Sequence, residues 1–175
     1  MTTDCSLPDT EVQRLLHAAF EAQKNSYSPY SHYPVGAAVL LEDGSIFTGC
    51  NVENASYPAG FCAEQNAIGS AIAAGKLNFQ AIAVVGSEDT YTTPCGICRQ
   101  VLAEFHVPYI ICGKKLSDWT VYRLEELLPH SFEKQWEVRS EKLEMKEGAQ
   151  KCKKRPILSF YIGINWYNNQ YHFLW

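Results

Sequence analysis

Three cysteines in two short motifs are the residues of this sequence best suited to chemistry. Cys62 lies two residues before Glu64, and Cys95 and Cys98 form a Cys-x-x-Cys pair. Such a pair lets two sulfurs reach one tetrahedral Zn²⁺ at about 2.3 Å, and one further cysteine leaves the fourth position open. The spacing therefore predicts a catalytic Zn²⁺ site with three protein ligands.

Glu64 is the candidate proton carrier of this site. Its place two residues after Cys62 puts a carboxylate near the open position without making it a ligand, as a general base requires. Both cysteine motifs lie where predicted helices begin, so helix dipoles and unpaired N–H groups would stabilise the thiolates. Arg99 is the cation nearest to the motif in sequence, and we expect it to offset part of their negative charge.

A structural zinc site is the alternative that the cysteine pattern leaves open. Such a site would need a fourth ligand, and Cys50 and Cys112 are the candidates by composition. Cys112 lies in an apolar run, which favours a small buried side chain over a ligand. The combination of Cys62-Ala63-Glu64 with the Cys-x-x-Cys pair favours the catalytic interpretation over a redox pair.

Hydrophobic periodicity predicts the elements that position these residues. A helix is expected at 9–25, with Asp9 or Thr10 as its N-cap, and a β-hairpin at 35–41 and 46–53. Further helices are predicted at 62–74, 95–105 and 124–128, and strands at 81–85, 109–112 and 119–122. Helices that alternate with continuous apolar strands predict the α/β class, a three-layer α-β-α sandwich around a mixed sheet of roughly five strands.

Length and charge limit the classes of function. The chain has 175 residues, 46% of them hydrophobic, and a net charge of −4, which favours one compact domain and disfavours binding to nucleic acid. Residues 1–132 hold 7 basic and 14 acidic residues, whereas 133–155 hold 8 basic and 5 acidic ones. We therefore predict a catalytic domain at 1–132 and a charged, then aromatic, C-terminal extension of unknown role at 133–175.

The compartment can also be predicted from the sequence. The first eight residues lack the pattern of a secretory signal, and no run of about 18 apolar residues could span a bilayer. Seven cysteines, an odd number, fit thiolate chemistry in a reducing compartment better than a disulfide framework. We expect a cytoplasmic protein without a membrane partner.

The two cysteine motifs match the signature of zinc deaminases, and residues 9–132 closely resemble the cytidine deaminases that act on free nucleosides and use three cysteines. Two further blocks carry the resemblance: 30–38 is similar to the family's pyrimidine-contacting segment, and 49–55 to its ribose-binding strand. The resemblance implies a Zn²⁺-dependent deamination of cytidine and deoxycytidine to uridine and deoxyuridine, a homotetramer and a place in pyrimidine salvage. The alternative is deamination of cytosine in single-stranded RNA or DNA.

The resemblance also implies roles for individual residues. Cys62, Cys95 and Cys98 would bind the metal and Glu64 would move protons. The residues expected to contact the substrate are Asn51, Glu53, Tyr33 and the backbone near Ala63 and Thr93. Those expected to compensate thiolate charge are Arg99 and Gln65, and those expected to reach a neighbouring subunit are Tyr57 and Phe132. Two of these positions depart from the family pattern, since Tyr33 stands where Phe is usual and Gln65 where Arg is usual.

Overall fold

The computed structural model describes residues 7–132, which form a five-stranded sheet with helices on both sides. The helices are α1 (Asp9–Gln23), α2 (Ala63–Ala73), α3 (Gly96–Glu104) and α4 (Leu124–Leu127), with a short 3₁₀ helix at Tyr57–Ala59. The strands are β1 (Gly36–Leu41), β2 (Ile46–Cys50), β3 (Phe79–Val85), β4 (Tyr109–Lys115) and β5 (Asp118–Arg123).

The sheet is mixed, as predicted, and its order is β2-β1-β3-β4-β5. Only β3 and β4 pair in parallel, and the other neighbours pair antiparallel. A parallel pair needs a crossover connection, and α3 provides it between β3 and β4. This crossover brings the start of α3 to the end of β3, where the Cys-x-x-Cys pair lies.

Each face of the sheet has its own apolar core, which confirms the three layers. On one face α1 packs on alternate residues of the central strands; the buried members are Val12, Leu15, Leu16, Ala19, Ala38, Leu40, Ala81, Ala83, Val85, Ile111 and Val121. On the other face α2 and α3 pack on the intervening residues, with Ala63, Ala67, Ile68, Ala71, Leu102, Val84, Ile110 and Cys112 among the buried members. Strands covered on both sides are buried nearly throughout, which explains their continuous apolar runs.

Two glycines allow helices to approach the sheet closely. A Cβ on Gly49 of β2 would clash with the backbone at Ala63 and Ala67 of α2. A Cβ on Gly36 of β1 would clash with the backbone of Ala19 in α1. The two glycines thus set the distance of one helix on each face.

The structure corrects several predicted boundaries. Helix α1 begins at Asp9 with Pro8 as its N-cap residue and no side-chain cap, so the prediction that Asp9 or Thr10 caps it was wrong. The helix ends two residues earlier than predicted, and β2 ends at Cys50 instead of Glu53. Strands β3 and β4 are longer than predicted, and the 3₁₀ helix was not predicted. Within residues 7–132, no helix is both long and apolar enough to cross a bilayer.

Candidate active site and metal centre

The structure brings the three predicted metal ligands together. The sulfurs of Cys62, Cys95 and Cys98 all lie within 4.8 Å of one another, and those of Cys62 and Cys95 are 3.9 Å apart. Four bonds of about 2.3 Å in tetrahedral geometry place neighbouring sulfurs roughly 3.8 Å apart. The spacing of the sulfurs therefore fits Zn²⁺, and the residues that would hold it are these three cysteines.

Each half of the cysteine group is fixed by the start of a helix. Cys62 is the N-cap residue of α2, and its N–H donates to Oε1 of Gln65 over 3.2 Å in a capping box. Cys95 is the N-cap residue of α3, and its sulfur accepts the N–H of Cys98 over 3.4 Å. The free N–H groups and positive dipole ends of both helices therefore favour thiolates, as the sequence predicted.

Glu64 is the one buried charged or polar side chain among residues 7–132, at 5% exposure. Burial raises the pKa of its carboxyl group, although hydrogen bonds to backbone and to the Cys98 thiol oppose the change. A buried carboxyl group of raised pKa beside the metal ligands has the chemistry of a general base that can also act as an acid. This position suits the predicted proton carrier.

Hydrogen bonds link the thiols of the cysteine group. The bond with Cys98 lowers the pKa of Cys62 to about 7, against the effects of burial and of the Glu64 charge. The same bond, together with burial, raises the pKa of Cys98. Metal binding requires all three as thiolates, so it releases protons from this group.

Neither candidate for a fourth cysteine ligand joins the group. Among residues 7–132, the only metal-capable group of three or more is Cys62, Cys95 and Cys98. The sulfur of Cys50 faces the carbonyl of Asn25 over 3.3 Å, and Cys112 is fully buried in the core under α2 and α3. The geometry thus disfavours a structural site with four cysteine ligands.

The hydrogen bonds of Arg99 go to the backbone and side chains of two loops. Its guanidinium donates to the carbonyl of Pro94 (2.8 Å), the carbonyl of Leu127 (2.9 Å) and Oγ1 of Thr93 (3.4 Å). Arg99 therefore ties the segment before Cys95 to the end of α4. Burial and the Glu64 charge raise the pKa of Cys112 to about 12, and the Arg99 charge opposes this change.

A cavity of about 710 Å³ opens beside the cysteine group. Of the predicted site residues, it is lined by Asn51, Glu53, Tyr57, Cys62 and Gln65. The other lining residues are Tyr30, Ser31, Val52, Asn54, Pro58, Gly60, Phe61 and Ile97. Its volume suits a ligand the size of a nucleoside. The predicted residues outside its lining are Tyr33, Ala63, Glu64, Cys95, Cys98, Thr93, Arg99 and Phe132.

The polar groups of Asn51 and Glu53 hold the loop between α1 and β1. Oδ1 of Asn51 accepts from Ser26 Oγ (2.5 Å) and Val35 N (2.8 Å), and its Nδ2 donates to the Tyr33 carbonyl (2.9 Å). These bonds leave one N–H of the amide for another acceptor.

Glu53 makes a similar set of bonds. Its Oε2 accepts from the backbone N–H of Tyr30 (2.9 Å) and Ser31 (3.2 Å), and its Oε1 accepts from the Ser31 hydroxyl. The hydroxyl bond is the main reason that the pKa of Glu53 is lowered, so the carboxylate stays charged. One of its four acceptor positions remains for a ligand hydroxyl.

Tyr33 and Thr93 lie on two loops that meet outside the cavity. Tyr33 is 40% exposed, and its hydroxyl lies 2.8 Å from Oγ1 of Thr92. The Thr93 side chain accepts from Arg99, while Ala63 is fully buried in the first turn of α2. The prediction missed Thr92, whose signal in the sequence was its place in the short segment before Cys95.

Tyr57 and Phe132 both present exposed rings, at 76% and 80% exposure. Tyr57 packs edge-on against Tyr30 with ring centroids 5.9 Å apart. The backbone of Phe132 is held by both polar atoms of the Gln100 side chain, over 2.8 and 3.1 Å. Gln100 directly follows Arg99, and the sequence offered no signal for this contact.

An α/β sandwich whose helix N-termini present three sulfurs, with a buried glutamate beside them, defines a zinc enzyme of the deaminase type. Residues 9–114 match the family model described as the cytidine and deoxycytidylate deaminase zinc-binding region, so the chain belongs to this family.

Curated relatives and solved structures agree with this assignment. The chain is 41% identical over 128 residues to the cytidine deaminase of Sporosarcina psychrophila, covering 71% of this chain and 93% of the relative. It is 39% identical over 123 residues to a probable cytidine deaminase of Dictyostelium discoideum, covering 70% and 84%. The crystal structure of cytidine deaminase from Burkholderia pseudomallei superposes with a TM-score of 0.65 at 45% identity, covering 68% of this chain and 97% of that one.

Proposed function

We propose that this chain catalyses the zinc-dependent hydrolysis of free cytidine and deoxycytidine to uridine and deoxyuridine with release of ammonia, a reaction of pyrimidine salvage. The observation that carries the proposal is the cysteine group of Cys62, Cys95 and Cys98 beside the buried Glu64. Curated relatives at 37–41% identity are named cytidine deaminases. The cavity next to Cys62 has the size for a nucleoside.

Metal binding and proton transfer are assigned to different residues. Zn²⁺ held by the three cysteines supplies a Lewis acid that makes water nucleophilic at neutral pH. Glu64 would accept a proton from the water that attacks C4 of cytosine and deliver it to N3. It would then take the second proton from the new C4 hydroxyl and pass it to the amino group, which leaves as ammonia while the C4 carbonyl forms. Its burial raises the pKa of the carboxyl group, which makes the protonated form easier to reach.

The sugar and the base are held by different groups. Asn51 and Glu53 both line the cavity, so the free N–H of Asn51 and the free acceptor position of Glu53 are candidates to bind a sugar hydroxyl. The backbone near Ala63 and Thr93, with the Tyr33 segment, would fix the edge of the pyrimidine. Arg99 and Gln65 would hold the segments on which Cys95 and Cys62 lie.

Ammonia release from cytidine by the purified protein, with zinc content measured on the same sample, tests the proposal. We expect turnover and about one zinc per chain. Cys95→Ala should lose both metal and turnover, because two cysteines bind zinc weakly. Cys50→Ala is the matched control, since its sulfur lies outside the group, and it should keep both. An active protein without zinc would contradict the proposal.

A free nucleoside is favoured over a polynucleotide by charge. Residues 7–132 contain 7 basic and 13 acidic residues, so their field repels phosphates. We expect cytidine to be deaminated at the same rate when a single-stranded oligonucleotide is added in excess. Inhibition by the oligonucleotide, or deamination within it, would favour the polynucleotide alternative.

We also propose a homotetramer in which Tyr57 and Phe132 reach neighbouring subunits, and residues 1–132 as the catalytic domain of a cytoplasmic enzyme. Exposed apolar side chains at the cavity support the assembly, since Phe61 and Ile97 are 58% and 69% exposed. The family match at 9–114 supports the domain. Light scattering gives the mass of the assembly, and turnover after removal of residues 136–175 tests the domain boundary.

A further inference from the structure

Two loops meet beside the candidate site. The α1–β1 loop (residues 24–35) contributes Tyr30 and Ser31 to the cavity. The β3–α3 loop (residues 86–95) ends at the metal ligand Cys95. The distance between these loops therefore sets the distance between the groups around the sugar and the metal ligands.

One hydroxyl pair joins the two loops directly. Oη of Tyr33 lies 2.8 Å from Oγ1 of Thr92. The same oxygen of Thr92 accepts the N–H of Ser87 over 3.2 Å, which closes the β3–α3 loop on itself. Thr92 thus holds its own loop in shape while it binds the other loop.

Two further features shape this junction: a second link between the loops and a glycine that leaves space for the pair. Nε2 of Gln23 donates to the carbonyls of Pro34 (3.0 Å) and Gly86 (2.8 Å), one in each loop. A Cβ on Gly86 would lie 2.5 Å from Thr92 Oγ1 and 3.0 Å from Tyr33 Oη. Glycine at this position leaves the space that the two hydroxyls need.

The junction connects to the sugar-facing groups through the backbone of Tyr33. Its carbonyl accepts the amide of Asn51, and two residues earlier Ser31 binds Glu53. A shift of Tyr33 therefore moves the groups that hold Asn51 and Glu53. Cys95 has separate support from Arg99, which binds Pro94.

We propose that Tyr33 and Thr92 form a positioning pair that sets the α1–β1 loop, and with it Asn51 and Glu53, against the loop that carries Cys95. The inference rests on the proposed function for its kinetic consequence. The bond between the two hydroxyls acts by positioning Asn51 and Glu53 and involves none of the reacting atoms. Its loss raises KM for cytidine and leaves kcat and zinc content close to those of the parent protein.

The test is a double-mutant cycle with Tyr33→Phe and Thr92→Val. Since one hydrogen bond contributes modestly, each single variant should raise KM about three- to tenfold. The KM of the double variant should equal that of Thr92→Val, because Tyr33→Phe removes only a bond that Thr92→Val has already removed. Thr92→Ser keeps the hydroxyl and should restore the parent KM.

Tyr91→Phe is the matched control. It removes a phenolic hydroxyl from the same loop, but that hydroxyl binds Asp118 on β5 over 2.5 Å, away from the α1–β1 loop. We expect its KM to equal that of the parent. The proposed positioning role would be wrong if KM were raised in Tyr33→Phe but normal in Thr92→Val. The Tyr33 hydroxyl would then act on the substrate directly. Additive effects in the double variant would contradict the positioning role as well.

Amide hydrogen exchange tests the pair independently of the reaction. Thr92→Val should speed exchange in peptides from both loops, 26–35 and 86–95, whereas Tyr91→Phe should affect only the second. If the parent protein does not deaminate cytidine, the proposed function is wrong. The exchange rates still show whether the Tyr33–Thr92 bond links the two loops. Unchanged exchange at 26–35 in Thr92→Val would overturn the positioning role.

Discussion

Helices α1 and α2, which cover opposite faces of the sheet, bury different kinds of side chain. Under α1 the contact uses larger aliphatic groups, such as Leu15, Leu16 and Ile111. The buried side of α2 consists largely of alanines at 63, 67 and 71, and it rests against Gly49 of β2. Both helices approach a strand closely at one glycine, α1 at Gly36 and α2 at Gly49.

Because of this difference in side chains, we expect α1 to contribute mainly to the free energy of unfolding and α2 mainly to metal binding and turnover. Large aliphatic groups stabilise the α1 face through buried area, which depends little on small shifts. On the α2 face, small residues fix the first turn, where the proposed metal ligand Cys62 and the proposed proton carrier Glu64 lie. Changes on the α1 face should therefore lower the free energy of unfolding, whereas changes on the α2 face should alter metal binding and turnover.

The largest expected effect is that of Glu64→Gln. The amide fits the same space but cannot carry the proton, so kcat should fall by about 10²–10⁴-fold or more. Zinc content should stay near one per chain, because Glu64 is not a ligand. Zinc analysis and single-turnover rates on one preparation check this expectation. A variant with nearly normal kcat would remove Glu64 from the proton transfer.

The second prediction compares the two close-contact glycines. Gly49→Ala and Gly36→Ala each add one methyl group against helix backbone, at α2 and α1 respectively. Both should lower the unfolding temperature, because backbone cannot yield as a side chain can. Only Gly49→Ala should also lower zinc occupancy and kcat/KM, since it displaces the turn that begins at Cys62. Equal losses of zinc in both variants would contradict the division between the faces.

The third prediction concerns a large side chain on the α1 face. Leu16→Ala should reduce the free energy of unfolding by about 2–5 kcal/mol through lost burial and a cavity. At temperatures well below unfolding, kcat and KM should stay within about twofold of the parent. Denaturant titration and steady-state kinetics check both parts. Ile68→Ala on α2 is the matched change on the other face and should also reduce kcat.

The smallest effect is expected at the β1–β2 turn, which carries none of the proposed site residues. Asp43 binds Lys76 over 2.6 Å and also accepts from Ser45, and these bonds lower the pKa of its carboxyl group. A lowered pKa in the folded state stabilises the fold above the pKa of the unfolded carboxyl, about 4, and this contribution is lost as pH falls further. Asp43→Asn should therefore lower the unfolding temperature slightly at pH 7, and the difference should shrink below pH 4. A constant difference from pH 7 to pH 3 would contradict this cause.

The chemical groups were predictable because their spacing is local. Cys62 with Glu64, and Cys95 with Cys98, each lie within one helical turn, and both motifs begin helices as expected. The sheet was predictable because its strands are continuous apolar runs. The metal-ligand group and the three layers of the fold are confirmed for these reasons.

Contacts between distant loops were not predictable. Nothing local marks Gln23 as a bridge between Pro34 and Gly86, or Thr92 as a partner of Tyr33. The early end of β2 has a similar cause, because Asn51 binds the α1–β1 loop through its side chain where a ladder would continue. In each case a polar side chain finds a partner that only the folded chain supplies.

The separation of Cys62 and Cys95 along the chain, 33 residues, has a consequence for folding. A metal ion bonded to both acts as a cross-link that closes this length of polypeptide, much as a disulfide would. Loop-closure entropy for such a length corresponds to a stabilisation on the order of 3–4 kcal/mol. Metal binding would then cross-link the two ends of the segment that runs from α2 through β3 to the start of α3, and would stabilise this segment as one closed loop.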